Sequence, residues 1–144
     1  MIMSEQNFWV LLRKNLPLKL YRVENKVSRG MPDVHFASKE KLGMSGWVEL
    51  KYLPEFPKRQ MTVGLKKHQA MWLKEYANYG QSWLLVRIGS SWTGLFFGSI
   101  AEEIFARPTK EKFCNLATWS KRGNLTKDDW KKLSEVMCLG CEFG

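Results

Sequence analysis

From Gly46 to Leu53 the sequence Gly-Trp-Val-Glu-Leu-Lys-Tyr-Leu alternates with period two, the repeat of an extended strand whose successive side chains point to opposite faces. Val48, Leu50 and Tyr52 share one face, and Trp47, Glu49, Lys51 and Leu53 share the other. A carboxylate and an ammonium therefore project from the same side of a largely apolar strand. Trp47 and Leu53 frame them, which implies partial burial, and a buried carboxylate requires a cation. Few strands combine these demands, and the rest of the chain is organised around this one.

Upstream, Arg29-Gly30-Met31-Pro32 is turn chemistry, and a proline at a strand start loses no necessary ladder bond. A strand is predicted from Asp33 to Ala37, with a hairpin loop over 39–46. If the two strands pair antiparallel, Asp33 lies beside Glu49. Ser4 is placed to cap a helix over 5–15, with Phe8, Leu11, Leu12 and Asn15 on one stripe and Pro17 ending it; residues 18–24 read as a strand. A Pro-rich, basic loop over 54–64 precedes a helix over 65–79 that Gly80 ends. Strands follow near 82–89 and 92–98, after which the pattern turns helical and basic. Thr126-Lys127-Asp128-Asp129 opens a last helix that Gly140 closes. The order α-β-β-β-α-β-β predicts an α/β fold with a central mixed five-stranded sheet flanked by helices. No linker isolates the remainder, so residues 1–106 read as the core and 107–144 as a basic helical extension of the same domain.

Of the 144 residues, 44% are apolar and 13% aromatic, enough for one ordinary core. The net charge of +9 calls for a polyanionic partner, since cations that neutralise phosphates release condensed counterions. The surplus is concentrated in residues 51–75 and 107–132, which implies two basic surfaces. No apolar stretch is long enough to span a bilayer, and the N-terminus has no secretory pattern, so the expectation is an intracellular, cytoplasmic protein with no membrane partner. Three cysteines leave an odd thiol after any pairing, which argues against a disulfide framework. Cys138-Leu-Gly-Cys141 has zinc-like spacing but lacks a second ligand pair, and packed thiols are preferred.

Asp33, Glu49 and Lys51 are open to two readings. One is an exposed strand face with a surface ion pair; the other is phosphodiester chemistry, in which two carboxylates hold a divalent cation and an ammonium stabilises charge on phosphate. The set Gly30-x-Pro32-Asp33, Glu49-x-Lys51 and Leu65-x-x-x-Gln69, in this order and followed by Gly80 and an apolar strand, resembles the PD-(D/E)xK nuclease superfamily over about residues 4–98. Its small VRR-NUC type and the Holliday-junction resolvases are the nearest kinds. The resemblance implies a restriction-endonuclease-like core in which Asp33, Glu49 and the Leu50 carbonyl ligate Mg²⁺, with Mn²⁺ a possible substitute. Lys51 would then orient or help deprotonate the attacking water. Glu5 stands where this family often places a further glutamate; the alternative is a first-turn acid complementing the helix dipole, with Glu24 as the competing ligand.

Gln69 places an amide on an otherwise apolar stripe of Leu65, Trp72, Tyr76 and Tyr79, and it reads either as a satisfied core glutamine or, by the resemblance, as bordering the active site. Arg29, Lys58, Arg59, Lys66 and Lys67, with His68, are the predicted DNA contacts, since an acidic centre needs a basic rim to attract phosphate. Trp47, Trp72 and Trp83 fall in periodic patterns and read as core, while Trp92, Trp119 and Trp130 are left open between core, base stacking and a dimer surface. The resulting expectation is a Mg²⁺-dependent endonuclease, a homodimer acting on branched DNA such as Holliday junctions. A replication or repair nuclease on flaps or single strands is one alternative, and a non-catalytic nucleic-acid-binding module another. Compactness and charge fit a phage or mobile-element replication protein, whose compartment, if it is phage-encoded, would be the host cytoplasm.

Overall fold

The computed structural model describes residues 5–24 and 28–140. Its elements are α1 (Glu5–Asn15), β1 (Leu18–Arg22), β2 (Val34–Ser38), β3 (Ser45–Leu53), α2 (Lys67–Tyr76), β4 (Gln81–Ile88) and β5 (Trp92–Phe97), then a 3-10 turn (Gly98–Ile100), α3 (Ala101–Phe105), α4 (Lys110–Leu116), β6 (Trp119–Arg122) and α5 (Lys127–Leu139). The expected cap Ser4 and Cys141 of the Cys-x-x-Cys pair lie outside the described residues.

One mixed sheet runs in the order β1-β2-β3-β4-β5-β6. Only β3 and β4 are parallel, because α2 carries the chain back between them; every other neighbour pair is antiparallel. The expected α/β architecture is present with six strands instead of five. Residues 119–122, expected to belong to a wholly helical extension, form the extra strand on the β5 edge, with Trp92 opposite Arg122 and Leu95 opposite Trp119.

Two apolar layers flank the sheet. Phe8, Leu12, Val34, Val48, Leu50 and Trp83, with Leu133 and Met137 of α5, form the first. Each such side chain removed from water contributes about 1.5–3 kcal/mol. Trp83 Nε1 donates to the Met137 carbonyl at 3.0 Å, which fixes α5 on this face. Thr126 caps α5 by accepting from Asp129 N at 3.2 Å, while Asp129 accepts from Thr126 N at 2.8 Å. The second layer gathers Ala70, Leu73, Leu84, Val86, Ile88 and Phe96 beneath α2, α3 and α4.

Several side chains depart from the expected pattern. Asn15 is exposed and donates to the Leu11 carbonyl at 2.8 Å, because the buried stripe of α1 is Phe8, Trp9 and Leu12. In α2 the buried residues are Ala70 and Leu73. The expected stripe is therefore rotated: Gln69, Trp72 and Tyr76 line its margin, and Tyr79, beyond the helix, is 82% exposed. Trp83, Trp92 and Trp130 are core, whereas Trp47, Trp72 and Trp119 are only partly buried. No helix among the described residues is long and apolar enough to cross a membrane.

Candidate active site

The register of the sheet brings the acids together. Val34 stands opposite Val48, so Asp33, one residue earlier, lies abreast of Glu49. β2 begins there, and the portion of β3 from Glu49 onward extends past it. Through that gap Glu5, in the first turn of α1, reaches the same point. Carboxylate oxygens of Glu5, Asp33 and Glu49 all lie within 4.8 Å of one another, the one such cluster of possible metal ligands among the described residues. Three hard oxygen donors suit Mg²⁺, Mn²⁺ or Ca²⁺ better than zinc, which favours nitrogen and sulfur. The donor set therefore fits a divalent cation. The Leu50 side chain turns into the opposite layer, leaving only its backbone beside the acids. Glu24 lines a cleft next to Asp33 but is not part of the cluster.

Asp33 is held from both sides. Its carbonyl accepts from Val23 N at 2.7 Å, continuing the β1–β2 ladder. Ahead of it, Gly30 has φ +87°, and a Cβ at this position would collide with the His68 carbonyl at the start of α2. Only glycine meets both demands. This packing brings the Arg29–Pro32 turn against the helix that carries Gln69.

Glu49 is 1% exposed and Lys51 9%. Lys51 Nζ lies 3.3 Å from Glu49 Oε2, and Gln69 Nε2 donates to the same oxygen at 3.4 Å. The Gln69 side-chain Oε1 meanwhile accepts from Lys66 N at 3.0 Å. That bond orients the amide, so its nitrogen faces Glu49. A glutamine that strand and helix periodicity left ambiguous thus joins the first turn of α2 to the acidic strand.

Of the expected DNA contacts, Arg29, Lys66 and His68 line one depression of about 500 Å³ together with Gln69. Lys58 and Arg59 are exposed on the loop and Lys67 is exposed on α2; none of the three lines this depression. The His68 imidazole is pushed below its ordinary pKa by lost hydration, then by the neighbouring cations Arg29, Lys66 and Lys51, which oppose its protonation. Sequence reasoning missed a second cleft of about 800 Å³ on the other side of Asp33, lined by Gln6, Trp9, Arg13 and Arg22 among others. There the Arg22 guanidinium donates to Gln6 Oε1 at 2.9 Å and lies 5.6 Å from the Trp9 ring centroid. Arg13 and Arg22 sit on different elements, so no local pattern could have joined them.

Cys114 and Cys138 are partly buried free thiols whose pKa values burial pushes up, which makes them poor nucleophiles.

No protein-family model matches the sequence, and no curated protein matches it. Among solved structures it is similar to Hjc of Archaeoglobus fulgidus, a Holliday junction resolvase from an archaeal hyperthermophile. The two share 15% identity over 67% of this chain and 70% of that one, with a TM-score of 0.44.

Proposed function

We propose that this chain is a divalent-metal-dependent nuclease of the PD-(D/E)xK kind that hydrolyses DNA phosphodiester bonds. The observation that carries this reading is the convergence of Glu5, Asp33 and Glu49 with Lys51 held against them. A bound Mg²⁺ or Mn²⁺ would supply Lewis acidity and a more acidic water. Glu5, Asp33, Glu49 and the Leu50 backbone carbonyl would hold it.

The chain's own groups divide the remaining work. Lys51 presents an ammonium beside the acids, where it orients the attacking water and stabilises negative charge that develops on the phosphate oxygens. Because Lys51 is nearly buried, this charge is preorganised and reaches the transition state with little reorganisation. Gln69 keeps the Glu49 carboxylate in one rotamer and ties it to α2. Arg29, Lys66 and His68 receive a phosphate of the flanking backbone on one side, and Arg13 and Arg22 receive one on the other. Lys58, Arg59 and Lys67 contribute long-range attraction.

Branched DNA such as the Holliday junction is the proposed substrate, cut inside the cell by a homodimer, since two nicks related by a two-fold axis need two copies of the site. The test is a panel of labelled junction, flap, duplex and single-stranded substrates with Mg²⁺, with Mn²⁺ and with EDTA. Paired symmetric nicks on the junction, abolished by EDTA, are expected. Tight binding with no cutting under any metal would instead favour a binding module.

A further inference from the structure

On the face that carries Asp33, Glu49 and Lys51, the second apolar layer draws its strand residues from β4 and β5 and from the end of β3, and none from β1 or β2. The β1 and β2 side chains on that face are Lys19, Tyr21, His35 and Ala37, and none belongs to either apolar layer. Across this uncovered half runs a row of rings. Tyr21 lies opposite His35, and His35 opposite Trp47, so three strands place their rings abreast. The Tyr21 and His35 centroids are 6.4 Å apart, and His35 meets Trp47 edge-on at 4.8 Å. Trp47 meets Trp72 of α2 at 6.0 Å, and Trp72 stacks on Tyr76 at 5.0 Å with planes 5° apart.

Trp72 packs against the second apolar layer, but Tyr21, His35, Trp47 and Tyr76 belong to neither layer, so core packing does not account for the row as a whole. Tyr21 is 51% exposed, and the other four rings are partly exposed. Its position is informative: Trp47 precedes Glu49 by two residues and His35 follows Asp33 by two, so the rings begin about 7 Å from the acids on the same face. α2 forms one wall, with His68, Trp72 and Tyr76 at successive helical turns, and His68 also belongs to the basic depression beside Gln69. At the far end the Lys19 ammonium stands 5.7 Å from the Tyr21 ring centroid. The surface therefore offers aromatic faces between cations and ends at the acidic cluster.

We propose that this row is a stacking platform for unpaired nucleotides of the strand whose phosphate reaches Glu5, Asp33 and Glu49. A continuous duplex keeps its bases stacked on one another, whereas an opened strand presents bases that aromatic rings can hold at about 1–3 kcal/mol each, whatever their sequence. The platform rests on the nuclease reading for its neighbour and sharpens it: the substrate is DNA with unpaired nucleotides at the scissile position, as at a branch point or flap.

The full-length chain carrying Asp33→Asn is titrated with two DNAs in Mg²⁺, a blunt duplex and the same duplex with a single-stranded arm containing 2-aminopurine. The arm fluorescence should be quenched on binding. Trp72→Ala with Tyr76→Ala should weaken armed-DNA binding about tenfold and abolish quenching. The paired change to Phe should restore both, and blunt-duplex affinity should stay within about twofold. The dependence of affinity on salt should be unchanged, since rings release no counterions. Tyr21→Ala, at an exposed edge position, is the companion variant should the double alanine fail to fold, and it should lower armed-DNA affinity by a smaller factor in the same direction. Equal losses on both DNAs, or fluorescence indifferent to the rings, would overturn the platform. So would a shift from dimer to monomer in sedimentation with DNA affinity intact, which would assign the rings to a second copy. Quenching without metal-dependent cutting by the unsubstituted chain would sink the nuclease reading alone, and cutting without quenching would sink the platform alone.

Discussion

The two faces of the sheet are built from alternate residues of the same strands, yet they are finished differently. On one, α1 and α5 close an apolar layer that includes Leu18 of β1, Val34 of β2, Val48 of β3, Trp83 of β4 and Leu95 of β5. On the other, α2, α3 and α4 shelter β3 to β5 and leave β1 and β2 with polar and aromatic side chains. Glu49 and Lys51 stand where the sheltered half meets the open half. Such a boundary removes enough water to strengthen electrostatic interactions while leaving room for a polymer to approach. Covering the whole face would have sealed the acids away; exposing it would have diluted their charge in water.

The largest expected effect tests whether that boundary is where chemistry happens. Asp33→Asn keeps a side chain of similar size but weakens the cation site, and it should reduce metal-dependent cutting on the order of a thousandfold, about 4 kcal/mol in transition-state stabilisation. Gel assays of cleavage alongside circular dichroism separate lost chemistry from lost fold. Unchanged cutting would move the site elsewhere. The closed face should fail in the opposite way: Leu12→Ala, at 0% exposure, should cost about 3 kcal/mol by denaturant melting while leaving cleavage intact in whatever fraction remains folded.

Gly30→Ala falls between these two. It forces a Cβ against the His68 carbonyl at φ +87°, costing about 1–3 kcal/mol, and it should lower both stability and cutting because the same turn positions Asp33 and Arg29. Stability lost with cutting per folded molecule unchanged would show that the turn serves the fold alone. Smaller still, Tyr21→Ala on the open face should change stability by less than about 0.5 kcal/mol, because its ring belongs to no apolar layer. A loss of 2 kcal/mol, on the scale of a core side chain, would show that the open half is core after all.

What the sequence made legible follows the same division. Alternation through β3 placed Glu49 and Lys51 on one face because a strand has a single period and both faces of this one carry a clear signature. The Asp33 position was legible from its turn, since Gly30 and Pro32 constrain backbone in ways independent of distant packing. β6 was not legible: three of its four residues, Ser120, Lys121 and Arg122, are exposed and polar, so no alternation marks it, and its pairing comes from β5 and from Gly123 N donating to Ser91 O at 2.8 Å. Arg87 reinforces that pairing by donating to Thr93 Oγ1 at 2.6 Å and to Asn124 Oδ1 at 3.0 Å, contacts that no local pattern announces. The phase of α2 misled because bulk was taken for burial. Its core contacts are Ala70 and Leu73, while the large residues Trp72 and Tyr76 lie at the margin where the sheet is uncovered. The convergence of Glu5 on Asp33 and Glu49 depends on β2 beginning where it does, which only the folded register reveals.

The smallest expected effect separates the faces by pH. On the closed face, hydrogen bonds from the Thr126 backbone and then its hydroxyl, helped by Lys121 at 3.6 Å, hold the Asp129 carboxyl below its ordinary value of 3.8. A depressed carboxylate pKa means the unfolded chain takes the proton first. The Asp129 contribution is therefore complete above pH 3.8 and drains away as pH falls through the lower folded value. On the open face, His35 is pushed below 6.5 by burial, so here too the unfolded chain binds the proton first, but the loss begins as pH falls through 6.5. Urea melts at pH 7.5, 5.5 and 3 should then show His35→Phe flattening the upper part of the decline and Asp129→Asn the lower. If one substitution flattened both parts, the two faces would not titrate independently, and the open half would have to be coupled to the α5 cap through the sheet between them.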